Sequence, residues 1–389
     1  MRFSVIAGPR QNPDLGETAA EAWWPYVEDA VRAEQLGFDA AYVCEHHFCY
    51  AMGGSAPLMM LAHIAARTER IRIGTAIICP PLHNPLRLAE DIAALDIMSR
   101  GRLDLGIGVG WKAEEFATFG VELNNRFSRT WEIVDIIERA LATPEGETFD
   151  HEGQHYRFPN VRWIMQPVQQ RIPILWGGIG AKGVRRAAER GYHLLAPDQT
   201  GVYEQVMKDH GRRPEDHLIG AFHTTSVAAT RDEAFDGVAE GCLLTSNAYA
   251  ERPELTDVLG QQHQRITMAD LRRGWERGEE VGFCTPHAGT VEDMFDYFLP
   301  IVRGEHGLIT HIIFEFRPAG AANEHVERSM TLFAREVLPV LRQEAAKAEA
   351  ARATSPMADA LVGAKSPCDG LGRVHSVNRQ KPITPRFLD

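Results

Sequence analysis

Glu45, His46, His47 and Phe48 follow one another directly after the apolar run AAYVC. A carboxylate, two imidazoles and a ring in a row suit proton transfer, metal ligation or a hydrogen-bonded strand end. Alternation along a strand puts Tyr42, Cys44 and His46 on one face and Val43, Glu45 and His47 on the other, so the two imidazoles diverge. Diverging neighbours with no third ligand nearby disfavour a metal. An imidazole titrates near neutrality, which suits a proton shuttle.

Two glycine-rich stretches add to this. In LDLGIGVGW, Leu103, Leu105, Ile107 and Val109 share one face, and Asp104, Gly106, Gly108 and Gly110 share the other. The glycine face is a cleared floor for a large flat ring. GIGVGW is not a dinucleotide fingerprint, because Trp111 stands where the third glycine belongs. In ILWGGIGAKG a strand leads through Gly177, Gly178, Gly180 and Gly183 into a helix starting near Lys182. That geometry offers main-chain N–H groups and a helix N-terminus to a phosphate. The Lys-Ser/Thr ending of a P-loop is missing, so a magnesium nucleotide is not implied. Neither G-x-S-x-G nor H-E-x-x-H occurs.

The elements that must position these residues are legible as alternation. Strands are expected at Arg2–Ala7, Ala40–Glu45, Arg70–Ile78, Arg102–Gly110, Pro173–Gly178, Tyr192–Pro197, His217–Val227 and His311–Phe316. Helical patterns with three- and four-residue apolar spacing lie between them, several ending on glycine (Gly37, Gly101, Gly191). Eight such units favour an α/β fold with a parallel sheet closed as a (β/α)8 TIM barrel, with a doubly wound open sheet as the alternative. In such a barrel the active site lies at the C-terminal strand ends. Three parts stand outside the repeat. Thr148–Phe158 reads as a hairpin insertion. Ala248–Pro286, after the seventh strand, reads as a long polar loop that can act as a lid. The segment after about Ala353 is rich in Pro, Gly, Ser and Lys and reads as a disordered or surface-draped tail. The expected division is a barrel domain over residues 1–345 and a tail over 346–389.

Composition narrows the class. The 389 residues carry 41 basic against 53 acidic side chains, a formal charge of −12, which disfavours nucleic acid as a partner. Cys44, Cys49, Cys79, Cys242, Cys284 and Cys368 form no C-x-x-C pair, so neither a zinc ribbon nor a disulfide framework is indicated. MRFSVIAGP reads as a first strand rather than a signal peptide, and no apolar run nears the roughly 18 residues that span a membrane. The natural reading is a reduced cytoplasmic protein.

EHHF, IRIGTAIICPPLHNPLRLAEDIAALDIMSRGRLDLGIGVGW and ILWGGIGAKGVRRAA together carry a specific likeness. From about Met1 to Gln343 the chain resembles the bacterial-luciferase-like flavin-dependent monooxygenases. The resemblance implies a TIM barrel, reduced FMN from a separate NAD(P)H:flavin reductase, and O2 acting through a C4a-hydroperoxyflavin on a small organic substrate. It implies that His46 handles protons at the flavin. It puts a cis peptide between Ala76 and Ile77 behind the ring, with Gly108 on the wall. The phosphate turn falls on Gly178, Ile179, Gly180, Ala181 and Gly183. The light-emitting enzymes have cysteine and arginine at the positions of Gly108 and Val109, and hydroxyl side chains on their phosphate turn. Light emission with a long-chain aldehyde is therefore not implied, and Arg185 is a candidate to assist the backbone donors.

Tyr42, Phe48, Trp111 and Phe316 are expected to form a dry pocket, with Arg317 and His223 as anchors for substrate. Two alternatives stay open: a hydride-transfer enzyme using the deazaflavin F420, and a non-catalytic flavin-binding subunit. Resembling proteins pair through the region of PLMMLAHIAARTE, which implies a homodimer.

Overall fold

Each expected strand is present, shortened to the residues that pair. The structure, a computed structural model, describes residues 1–50, 53–178, 180–195, 199–250 and 264–354. Ile179, part of the polar segment after the seventh strand, and the expected tail from residue 355 lie outside the described residues. The strands are β1 (Arg2–Ile6), β2 (Ala40–Val43), β3 (Arg72–Thr75), β4 (Leu103–Ile107), β5 (Thr148–Glu152), β6 (Arg157–Arg162), β7 (Ile174–Trp176), β8 (His193–Leu194), β9 (Gly220–Val227), β10 (His287–Gly289) and β11 (His311–Glu315). Nine of them form one sheet in the order β10-β9-β11-β1-β2-β3-β4-β7-β8, parallel throughout. A parallel bridge from Leu194 to Ile219 joins β8 to the residues leading into β9, which curls the sheet back on itself as a TIM barrel. Strands β5 and β6 pair antiparallel as the expected hairpin.

Helices α1 (Ala19–Gln35), α2 (Pro57–Arg67), α3 (Pro85–Met98), α4 (Ala113–Thr118), α5 (Arg126–Ala142), α6 (Ala181–Glu189), α7 (Thr200–Asp209), α8 (Arg231–Asp236) and α9 (Ala239–Ala250) are followed by four more after residue 264. Local signals set their limits. Thr18 and Glu21 close a capping box at α1, and Asn84 caps α3 ahead of Pro85. Gly37, Gly101 and Gly191 each take a left-handed φ just past a helix end. Among the described residues no helix is long and apolar enough to cross a membrane.

Three differences from the sequence reading stand out. The segment after α9 is not all loop: Met268–Arg277 is a helix with a Thr267–Asp270 capping box. Only Leu271, Gly274 and Trp275 are buried along it, so its composition reads as polar while Trp275 anchors it on Phe235 at 4.5 Å. Strand β10 is three residues long, too short to show a period. The helix Leu338–Thr354 also runs through residue 345, where the barrel was expected to end.

Alternation sorts the strand residues into two cores. Residues such as Phe3, Val5, Leu103, Leu105, Phe314 and Phe316 pack outward against the helices. Ala40, Tyr42, Leu175, Leu195 and Ile313 fill the interior. The N-terminal end of the interior is polar. Asp104, fully buried, accepts from Arg2 at 2.6 Å, from Arg72 at 2.5 and 2.9 Å, and from the Tyr42 hydroxyl at 2.9 Å. Two guanidinium groups around one carboxylate leave a net positive site when that carboxylate is removed. Asp104→Asn is therefore expected to lower stability by about 3–5 kcal/mol, read as a fall in the urea midpoint at unchanged m-value. An unchanged midpoint would show that the pairs are exposed and weak.

Candidate functional site

The chain leaves β2 at Val43 and crosses the barrel mouth as Cys44–Phe48. Here Glu45 turns inward beneath the loop. Its carboxylate is buried and accepts from the Cys79 amide at 2.5 Å and from His83 Nε2 at 2.7 Å, with His47 Nε2 at 3.3 Å. Burial by itself raises a carboxyl pKa. The imidazoles of His47 and His83 and the Cys79 N–H outweigh it and hold Glu45 at about 2. The two histidines diverge as alternation requires. His47 packs sideways on Phe119, ring centres 4.7 Å apart. His46 sits in the mouth, its Nδ1 3.7 Å from Glu115 Oε1 and its ring edge-on to Trp111.

Sequence reasoning missed Glu115 and Lys112, which follow β4. Lys112 is 2% exposed, and its ammonium donates to the carbonyls of His47 at 2.9 Å and Phe48 at 3.4 Å. Glu115 accepts the His47 amide at 2.8 Å. Against the opposing effect of burial, contacts with His46, the His47 amide and Lys112 pull its pKa below the ordinary carboxylate value. The barrel rule held the available signal, since whatever follows β4 must face the mouth. The run KAEE instead reads as an ordinary acidic helix start.

The peptide between Ala76 and Ile77 is cis, where the resemblance puts it, and both residues are half-buried at the mouth. The glycine wall needs a correction. A Cβ on Gly106 would strike the Thr75 carbonyl, and a Cβ on Gly108 or Gly177 would strike the Ile77 side chain, at 2.9 and 2.3 Å. Gly108 is thus a seat for Ile77, and the exposed platform is Ala76–Ile77 itself. At the phosphate turn, Gly180 takes φ +96° and leads into α6, whose first turn has no side-chain cap. Gly178 and Gly183 leave room for the Trp176 indole, which their Cβ atoms would meet at 2.6 and 2.9 Å. Trp176 Nε1 is buried beneath this turn with no acceptor among the described residues. Arg185 is exposed on α6. A flat ring with a phosphate tail fits this set: a half-exposed platform, uncapped amides at Ala181 and Lys182, and an unspent indole donor.

The expected substrate pocket is largely displaced. Tyr42 points toward the N-terminal end, bound to Asp104 and Arg2. His223 and Phe316 fall on the helix-facing side of their strands. His223 packs among His287, Tyr297 and Phe298, and burial lowers its pKa to about 3. Phe316 packs on Phe38 and Phe333. Arg317 is committed to Asp29, to Asn323 at 2.7 Å and to the Ala321 carbonyl. Phe48, in a left-handed conformation, is 58% exposed on the rim rather than in a dry pocket. Trp111 alone of these stays in the mouth, stacked on Tyr249 of α9, which stacks in turn on Phe283. The segment after β9 therefore does reach the mouth. Among the described residues no three His, Cys, Asp or Glu side chains group as metal ligands.

Comparison with known proteins gives the family. A family profile described as luciferase-like monooxygenase matches residues 1–292. The alkanal monooxygenase alpha chain of Photobacterium leiognathi is 25% identical over 88% of this chain and 99% of its own. The oxygenase component of the flavin-dependent trigonelline monooxygenase of Acinetobacter baylyi is 29% identical over 58% of this chain and 59% of its own. An F420-dependent glucose-6-phosphate dehydrogenase of Amycolatopsis mediterranei is 33% identical over 48% and 57%. Two uncharacterized Sinorhizobium fredii proteins, 34% and 33% identical, are matched over 48% and 55% of their length, so the chain spans about half of these curated relatives. Among solved structures, monooxygenase RslO1 from Streptomyces bottropensis superposes with TM-score 0.71 at 24% identity, over 87% of this chain and 99% of that one. The oxygenating constituent of Pseudomonas putida 3,6-diketocamphane monooxygenase, in complex with FMN, gives 0.67 at 21% identity, over 87% and 98%. These structural likenesses show the fold.

The Glu45 pKa carries a stability consequence. Its folded value of about 2 lies below the ordinary 4.5, so between these pH values the unfolded chain binds the proton that the folded chain refuses. The stabilisation is complete above pH 4.5 and drains away as pH falls toward 2. Glu45→Gln should flatten the acid limb of stability against pH across that window, measured by denaturant unfolding. An acid limb identical to wild type would show that Glu45 is not the titrating group.

Proposed function

The chain belongs to the luciferase-like monooxygenase family, and from that premise we propose that it is the oxygenase of a two-component system. It takes reduced FMN from a separate NAD(P)H:flavin reductase and uses O2 to oxygenate a small organic substrate. The observation that carries this reading is the way the half-exposed Ala76–Ile77 platform joins the loop of His46 to the turn before α6: the Glu45 amide donates to the Ile77 carbonyl at 3.1 Å, and the Ile77 side chain packs against Gly177. Ala76 and Ile77 would back the flavin ring. Gly178, Gly180, Ala181 and Gly183 would hold its phosphate through main-chain N–H groups, aided by Trp176 Nε1; Ile179 belongs to the same turn. Reduced FMN bound there supplies the electrons that activate oxygen.

The remaining work falls to the protein. Glu115 lies 3.7 Å from His46 Nδ1, and the imidazole is the group that gives or takes a proton in the mouth. Lys112 fixes the backbone of the next two residues, so the imidazole is held in place. The Trp111–Tyr249–Phe283 stack covers the site and excludes water. The same cradle would accept F420, which the Amycolatopsis relative's name supports.

Calorimetry with FMN and with F420 separates the two readings. Uptake of FMN with no F420 uptake is expected, and the reverse result rejects the oxygenase. His46→Ala should cut turnover by roughly 10²–10⁴-fold while FMN affinity stays within a few-fold. Unchanged product formation would remove His46 from the mechanism. A homodimer is the expected assembly, since α2 exposes Met59 and its His63 packs on the exposed Trp24 of α1. Sedimentation at micromolar concentration reads this directly, and a monomer there rejects it.

A further inference from the structure

Cys242, Ser246 and Tyr249 recur at helical spacing on α9, and residues 282–284 lie along that face. Phe283 stacks on Tyr249. The Cys284 amide donates to the Ser246 hydroxyl at 2.9 Å. Gly282 abuts the same serine, whose side chain a Cβ there would meet at 3.0 Å. Cys242 completes the row. It is fully buried, and its thiol shares a hydrogen bond with that of Cys284, which packs against the same apolar cluster.

Two sulfurs can be joined only where they already lie together, because a distant pair requires the backbone to move. These two also differ in access. Cys242 is sealed among Ala234 and Phe235 of α8 and Leu271 and Trp275 of the helix Met268–Arg277. Burial there pushes its thiol well above the ordinary value, so it does not ionise by itself. Cys284 is half-buried, and its Sγ lies 3.2 Å from Oγ1 of Thr224, on the inward side of β9. An accessible sulfur backed by a second one is the arrangement of cysteines that respond to peroxide.

We propose that Cys242 and Cys284 form a redox-modification site whose reactant is hydrogen peroxide. Cys284, as thiolate, attacks one peroxide oxygen; the O–O bond breaks, hydroxide leaves and a sulfenic acid forms. The Cys242 sulfur then attacks the Cys284 sulfur, the S–O bond breaks, and the hydroxyl leaves as water. Two thiols are oxidised to one disulfide, and one peroxide is reduced to two waters. The bond ties residues 282–284 to α9 and so fixes the Trp111–Tyr249–Phe283 stack over the mouth. This site stands apart from the flavin reading, and its chemistry requires no flavin.

The test treats the full chain, without flavin, with an equimolar amount of hydrogen peroxide and maps its unreduced peptides by mass spectrometry. A peptide pair joined through Cys242 and Cys284 is expected. Titration of the unfolded chain should lose two of its six thiols, and dithiothreitol should restore them. In Cys242→Ser, Cys284 should remain a sulfenic acid that dimedone captures. In Cys284→Ser, Cys242 should stay a thiol. The absence of a joined pair, a bond from Cys284 to Cys44 or Cys49 instead, or capture of Cys242 by dimedone in Cys284→Ser overturns the proposal. The peptide map of the unaltered chain remains decisive even where a serine variant does not fold.

Discussion

One buried carboxylate ties the mouth together. Glu45 sits where the chain leaves β2, and its partners come from beyond β3: the Cys79 amide and the His83 ring. Two loops that would otherwise move separately are thus joined through hydrogen bonds to one ionised group, and such charge-assisted bonds are stronger than neutral ones. The cost of burying that charge is met by the number of donors around it. From the other side, Lys112 and Glu115 beyond β4 grip the backbone of His47 and Phe48. His46 is held between these clamps. An imidazole whose proton must be delivered to a fixed point needs this kind of restraint more than it needs an unusual pKa.

Much of the fold was legible because each strand and helix announces itself locally. The two-residue period of LDLGIGVG, the glycine stops and the caps at Thr18 and Asn84 act over a few residues, and the barrel follows from counting units. The divergence of His46 and His47 was legible for the same reason. The family likeness added the position of the Ala76–Ile77 peptide, which no periodicity reveals.

The pocket was misread where aromatic character was weighed above strand phase. In HIIFEF the phase that points inward is His311, Ile313 and Glu315, so Phe316 belongs to the helix layer. In GAFHTT the inward residues are Phe222 and Thr224, one step from the His223 that chemistry made attractive. Tyr42 has the right phase, but its length carries its hydroxyl down to Asp104. Arg317 lies past a strand end, where phase no longer applies, and its partner Asp29 is 288 residues away in sequence. Long-range pairing of this kind leaves no trace in any window of the chain.

The seating of Ile77 on Gly108 and Gly177 has a further consequence. The floor of the mouth is not a strand surface but a movable side chain propped on two vacancies. A single methyl added at Gly108, which is buried, would lift that floor without changing any residue that meets solvent. Depth is therefore under the command of a hidden position, set apart from the residues that line the mouth.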